Sequence, residues 1–221
     1  MRETQWLAGK HPYEMIYDKR CRNDRKRRLL SCACARRVLH LCPDERFALA
    51  IETSERYADG TATYEELKQA RKQMKKIEDE FDCRSVREYS WHALRAAVDT
   101  LAKDFMSYKM VIESAAAAKA SLSRPDWDKG NKEETRCQCA LVRDIFGNLI
   151  RPVAIPPSSR SRTVASLAQA IYDERAFDRV PILADALEDA SCDHADILTH
   201  CRQGGEHVRG CWAVDQVLGK E

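Results

Sequence analysis

Six side chains able to bind a metal fall within twenty positions near one end of the chain: Cys192, His194, His200, Cys201, His207 and Cys211. Thiolate and imidazole are the groups zinc binds best, and a structural zinc takes four of them in a tetrahedron. His207 and Cys211 are four residues apart, a spacing that puts both on one face of a predicted terminal helix. Cys201 or His200, and Cys192 or His194, would complete the set from the preceding turn. The expected zinc site is therefore Cys192, Cys201, His207 and Cys211. The competing expectation is packing. No CxxC pair occurs, and Cys201 continues the apolar stripe of Ile197 and Leu198. On that reading the cysteines are small buried residues and the histidines cap helix ends.

Three further features bear on chemistry. Lys19, Arg20, Arg22, Arg25, Lys26, Arg27 and Arg28, extended by Arg36 and Arg37, form a basic stripe opposed by one acid, Asp24. Such a stripe could contact phosphates. It could equally be a solvated face paired with Glu52, Glu55 or Asp59 on neighbouring helices. Cys32-x-Cys34 and Cys137-x-Cys139 are spaced i, i+2, so their thiols point about 200° apart on a helix. One member of each pair is expected to face the core. A site shared with His40 and Cys42 is the alternative. Catalytic motifs are missing: there is no Gly-rich phosphate loop, nucleophile elbow or HExxH. Asp189, Asp193 and Asp196 with His194 and His200 have the outline of a metal hydrolase, but Asp193 and Asp196 also suit helix capping. A Cys201–His207 or Cys211–His207 dyad is a further option, since such partners meet in space.

The elements carrying these residues read as helical throughout. A charged fraction of 33% against 7% aromatics suits a helix-rich protein and not a sandwich or barrel. The formal charge of +2 does not by itself imply a nucleic-acid or membrane partner. Asp24 is expected to cap a helix reaching His40, with Leu30, Cys34, Val38 and Leu41 inside. Pro43 starts the next helix, closed by Gly60. Thr63 with Glu66 and Ser85 with Glu88 have the form of capping boxes. Behind the second, Trp91, Leu94, Val98, Leu101, Phe105, Tyr108 and Ile112 predict one unbroken helix to about Ala120. Its seam is expected to pack inside the molecule, with a dimeric coiled coil as the alternative. A loop over 124–131 precedes a helix from Lys132 to Phe146.

These spacings predict an all-α protein in three parts. Residues 1–146 form a helical bundle with long antiparallel helices. Residues 147–162 are a Pro/Ser/Arg-rich connection that cannot be helical. Residues 163–221 form a unit of four short helices capped by Thr163, Pro181, Asp193 and Gly219, with the Cys/His cluster. No apolar h-region opens the chain and no apolar run approaches the ~20 residues of a membrane span. A cytoplasmic setting is expected, where thiols stay reduced.

Several blocks also carry a resemblance. They are Arg143 to Asn148 with Arg151 to Val153, Ala168 to Asp178, Leu183 to Asp189, Asp196 to Leu198 with His200 to Arg202, and His207 to Trp212 running to Leu218–Glu221. Arg25 to His40 with Cys32-Ala-Cys34, and Glu55 to Gly60, join them. The set resembles a large paralogous family of uncharacterised planctomycete-type bacterial proteins. The resemblance implies a shared fold and a bacterial cytoplasmic setting, and no activity. The functional expectation is a non-enzymatic intracellular adaptor or regulator that binds a protein partner through helical faces, as monomer or homodimer. Trp212 beside Arg209 is either an anchor for that partner or core. The alternative is a zinc-stabilised nucleic-acid-binding module using the basic helix of residues 19–37.

Overall fold

The computed structural model describes residues 1–42, 44–81, 87–102 and 105–220, with the side chain of residue 105 outside the description. Among the described residues there are twelve α-helices and no strand, so the chain is all-α. They are α1 (Glu3–Leu7), α2 (Pro12–Ile16), α3 (Asp24–Val38), α4 (Arg46–Ala58), α5 (Tyr64–Glu80), α6 (Glu88–Asp99), α7 (Phe105–Leu122), α8 (Trp127–Phe146), α9 (Arg162–Glu174), α10 (Val180–Asp189), α11 (Ala195–Arg202) and α12 (Trp212–Leu218). No helix among the described residues is long and apolar enough to cross a membrane.

The chain divides into two compact units, Gly9–Cys139 and Met1–Ala8 with Ala140–Glu221. This cut differs from the division at 146 and 163 expected from the Pro-rich connection. That connection is not a free linker. Ile155 is buried in the core of the second unit. Its N–H donates to Gln216 Oε1 at 2.9 Å, and Gln216 Nε2 donates to Val153 O at 2.7 Å. Prolines forbid helix there, and a side chain of α12 satisfies the extended backbone instead.

In the first unit α3 is the central helix. Arg28 to Ala35 are buried without a break, so α3 is packed on all sides. Its cap is Asn23, whose side chain accepts from Lys26 N at 2.8 Å; Asp24, expected in that role, is the first helical residue. The single long helix expected behind Trp91 is two helices, α6 and α7, packed against each other. The Thr100 hydroxyl donates to Ala97 O at 2.7 Å and helps close α6 there. The seam residues Leu94, Val98, Leu101, Tyr108 and Ile112 are still buried, as intramolecular core. The Thr63–Glu66 capping box forms, and Glu66 accepts from Thr63 N at 2.7 Å. The second box, at Ser85, lies outside the described residues.

The helix expected from Lys132 starts earlier, at Trp127, and includes Gly130. A Cβ at Gly130 would lie 2.4 Å from Ser123 Oγ and 2.8 Å from the Lys119 carbonyl oxygen. The close approach of α8 to the end of α7 thus requires glycine. Gly130→Ala gains helix propensity but overpacks against backbone, so a net loss of about 1–3 kcal/mol is expected. Chemical denaturation checks this; unchanged or raised stability would contradict it.

In the second unit α9, α10, α11 and α12 enclose a core that includes Val164, Ile171, Leu183, Leu187, Ile197 and Trp212. Ser161, not Thr163, caps α9, accepting from Val164 N at 3.3 Å. His194, not Asp193, occupies the cap position of α11. Trp6 of α1 is buried and donates to Gly147 O at 3.0 Å, which fastens the N-terminal turn to the end of α8.

Candidate metal centre

Four donors converge in the second unit: Asp144, His200, His207 and Cys211. They come from three pieces of chain. Asp144 sits in the last turn of α8, among buried Leu141, Val142, Ile145 and Phe146. His200 is in the last turn of α11, whose apolar face is Ile197, Leu198 and Cys201. His207 lies in the loop between α11 and α12, and Cys211 is the residue before α12. The predicted terminal helix therefore begins later than expected. His207 and Cys211 meet through the turn ahead of it and not on a helical face. Gly147 holds a φ of +67° behind Asp144, and a Cβ there would lie 3.1 Å from the Trp212 ring. The donor loop is tethered to α9 by the Arg209 guanidinium, 4.3 Å from the centroid of the Tyr172 ring.

One ligand atom from each of the four residues lies within 4.8 Å of the others. His200 Nε2 is 3.4 Å from Asp144 Oδ1 and 3.3 Å from Cys211 Sγ. His207 Nδ1 is 3.8 Å from Cys211 Sγ and 2.6 Å from Asp144 Oδ1. A tetrahedral zinc with ordinary bond lengths sets neighbouring donors about 3.3–3.6 Å apart. Three of these separations match that within a few tenths. The fourth is a hydrogen-bond distance, and would open by about 0.7 Å for both atoms to face one ion. The cluster can thus hold a metal ion.

The burial is close to complete. Asp144 is 2% exposed, Cys211 0% and His207 8%. His207 Nε2 is buried and has no hydrogen-bond partner among the described residues. Asp144 Oδ2 accepts the Val208 N–H at 3.0 Å, so the carboxylate also fastens the donor loop. Gln203 Nε2 lies 3.1 Å from His200 Nδ1. If His200 ligates through Nε2, its Nδ1 carries the proton, and the Gln203 amide turns its oxygen to accept it. The His200 ring packs 4.8 Å from Trp212 and 5.0 Å from His207, centroid to centroid.

Charge completes the picture. Burial alone would raise the Asp144 carboxyl; hydrogen bonds from His200 and His207 outweigh it and hold the group below the ordinary carboxylate value. Burial first, and the Asp144 carboxylate next, push the Cys211 thiol well above its ordinary value. Cys211 lies 3.8 Å from His207 Nδ1, as a Cys211–His207 dyad would need, but the thiol is fully buried and closed to a substrate. A bound dication would reverse that balance by stabilising the thiolate directly.

Of the expected ligand set, the structure brings His207 and Cys211 together and leaves Cys192 and Cys201 outside the group. Both of these are packed in the apolar core. Burial, with Asp144 adding to it, pushes the Cys201 thiol up to about 12. Trp212 is 8% exposed and belongs to the same core, so it is not a surface anchor. The candidate donor outside the expected set is Asp144. Its signal was an acid in the last turn of a helix, just before Gly147, where the helix dipole disfavours negative charge. His200 was an alternative for the position assigned to Cys201.

The other expected sites fall out differently. Cys32 and Cys34 are both buried, because α3 has no solvent face there for one of them to occupy. Cys139 is buried and Cys137 half-buried. No group of three or more convergent donors forms around them among the described residues.

Much of the basic stripe is engaged inside its own unit. Arg25 pairs with Asp59 at 3.0 Å, Arg36 with Glu55 at 2.7 Å and Arg37 with Glu134 at 2.9 Å. Arg20 turns back on Asp18 at 2.8 Å. Arg27 donates to Ile16 O at 3.3 Å. Arg28 is 3% exposed and donates to Thr100 O, Ser54 and Tyr108. Lys26 is half-buried, and of the cations in residues 19–28 Lys19, Arg20 and Arg22 are exposed. No protein-family model, curated protein or solved structure matches the chain.

Proposed function

We propose that the chain is a non-enzymatic cytoplasmic adaptor or regulator whose second unit is held together by one structural zinc ion on Asp144, His200, His207 and Cys211. The observation that carries this is the convergence of one carboxylate, two imidazoles and one thiol from three separate pieces of chain, within 4.8 Å and nearly out of solvent. The mixed set of one oxygen, two nitrogens and one sulfur suits borderline-soft zinc. Calcium and magnesium ask for oxygen alone. Four protein donors fill a tetrahedron, whereas a catalytic zinc keeps a position for water or substrate. Closure of this kind supports a structural role.

The partner-binding half of the reading is supported by an open groove between α4 and α5, about 610 Å³ in volume, lined by Ala50, Met74 and Ile77 with Leu49 61% exposed. The resemblance to planctomycete-type bacterial proteins belongs to the same proposal and adds a cytoplasmic setting. Nucleic-acid binding through residues 19–37 has less support, because Arg25, Arg28, Arg36 and Arg37 already hold partners within the fold.

Elemental analysis of protein purified without chelator tests the metal directly. About one zinc per chain is expected, with melting lowered when a strong chelator is added. Metal-free protein whose melting ignores both chelator and added zinc would reduce the cluster to a buried polar clamp.

A further inference from the structure

Besides the stripe around residues 19–37, a second concentration of cations lies on one face of α5. Lys68, Arg71, Lys72, Lys75 and Lys76 line one open concavity of about 450 Å³. At 100° per residue they fall within an arc of about 140°, over a length of about 12 Å. The opposite face of α5, with Leu67, Met74 and Ile77, is buried, so the basic face is held outward by a fixed helix. All four lysines are exposed.

The acids of α5 lie at its two ends, Glu65 and Glu66 before the basic strip and Glu78, Asp79 and Glu80 after it. Lys68 lies 3.7 Å from Glu65, and Asp79 closes the strip at its far end. Asp99 of α6 senses Arg71 and Lys75. Lys72, Lys75 and Lys76 make no ion pair within 4 Å among the described residues, in contrast to Arg25, Arg36 and Arg37. Long, unpaired ammonium groups in a row are suited to a polyanion, since each can release a condensed counterion on contact.

We propose that this face of α5 binds the phosphate backbone of double-stranded nucleic acid, without reading sequence. A 12 Å strip spans about three or four phosphates of one strand. The residues lining the concavity are all charged, and Lys76 also borders the apolar groove between α4 and α5. Tyr64, one turn before Lys68, packs its ring 6.4 Å from Tyr57 and offers no row of stacking surfaces for single strands. This inference deepens the adaptor reading by naming a partner class. It does not depend on the metal, because α5 lies in the first unit and the donors in the second.

The test is fluorescence anisotropy of a labelled 20-base-pair DNA duplex titrated with the full chain at 50 and 200 mM salt, repeated with chelator present. With about three phosphates neutralised, affinity is expected to fall roughly forty-fold between the two salt concentrations. Lys72→Glu/Lys75→Glu/Lys76→Glu is expected to abolish binding, while Lys19→Glu/Arg22→Glu leaves it unchanged. The α5 residues are exposed, and a circular dichroism spectrum identical to that of the parent keeps the comparison fair. Binding that ignores salt, that survives the triple reversal, or that is lost on chelation would overturn the assignment. So would tighter binding to phosphatidylserine vesicles than to the duplex, which would make the face a membrane contact.

Discussion

Asp144→Asn is expected to abolish metal binding and lower the melting temperature by about 10 °C or more, through loss of a ligand from a site worth several kcal/mol at saturating zinc. The amide keeps an oxygen to accept the Val208 N–H and nearly the volume of the carboxylate. Simple loss of packing is thus a small part of the change. Cys211→Ser should behave the same way, because a serine hydroxyl is a poor zinc ligand. Chelator should lower the melting of the parent protein to about that of the variants and leave the variants unmoved. Calorimetry with and without chelator checks the pattern. If the variants melt within a degree or two of the parent, and chelator moves neither, the four side chains are only a hydrogen-bonded clamp.

The second large effect is expected at Arg28, in the first unit. The residue is 3% exposed, and its Nη1 donates to Thr100 O at 2.8 Å and to Ser54 Oγ at 3.3 Å. It also lies 4.9 Å from the centroid of the Tyr57 ring and 5.7 Å from that of Tyr108. Arg28→Ala empties a buried volume and removes the guanidinium from the Thr100 carbonyl, which the Ser54 hydroxyl also reaches at 2.7 Å. A loss of about 3–5 kcal/mol is expected. Arg28→Lys keeps the charge but cannot reproduce the fork that spans Thr100, Ser54 and Tyr108, so it should recover little of the loss. Urea denaturation measures both. A cost for Arg28→Ala below 1 kcal/mol would show that this residue is not part of the core of its unit.

These two residues mark what could and could not be read from the sequence. Arg28 sits in a run of cations that looks like a solvated face. Helical period identifies which positions share a side, and it cannot show that α3 has helices packed all round it. The same limit explains Cys32 and Cys34: spacing placed them on opposite sides of the helix, and both sides are core. Within the stripe, the acids that take Arg25 and Arg36 were foreseeable, since Asp59 and Glu55 lie on the very next helix. Glu134, which takes Arg37, is 97 residues away and carries no local signal.

The fold class was legible because nearly every segment shows three- and four-residue apolar steps and none shows period two. Breaks were less so. The apolar steps run from Trp91 to Ile112 without a fault, because a hairpin of two helices buries both faces and so preserves the pattern through Thr100. At the metal centre, His207 and Cys211 were legible from type and spacing. Asp144 was not, being more than fifty residues from the cluster and brought there only by the packing of α8. Cys201 was drawn into the expected set by its type, yet its place beside Ile197 and Leu198 on the apolar face of α11 already pointed to the core.

The zinc-edge X-ray absorption spectrum of the purified protein tests the central claim most directly. One sulfur at about 2.3 Å and three nitrogen or oxygen neighbours at about 2.0–2.1 Å are predicted, for Cys211 with Asp144, His200 and His207. Two or more sulfurs would bring Cys192 or Cys201 back into the site, and a six-coordinate shell of oxygen and nitrogen would place the ion elsewhere; either would contradict the account.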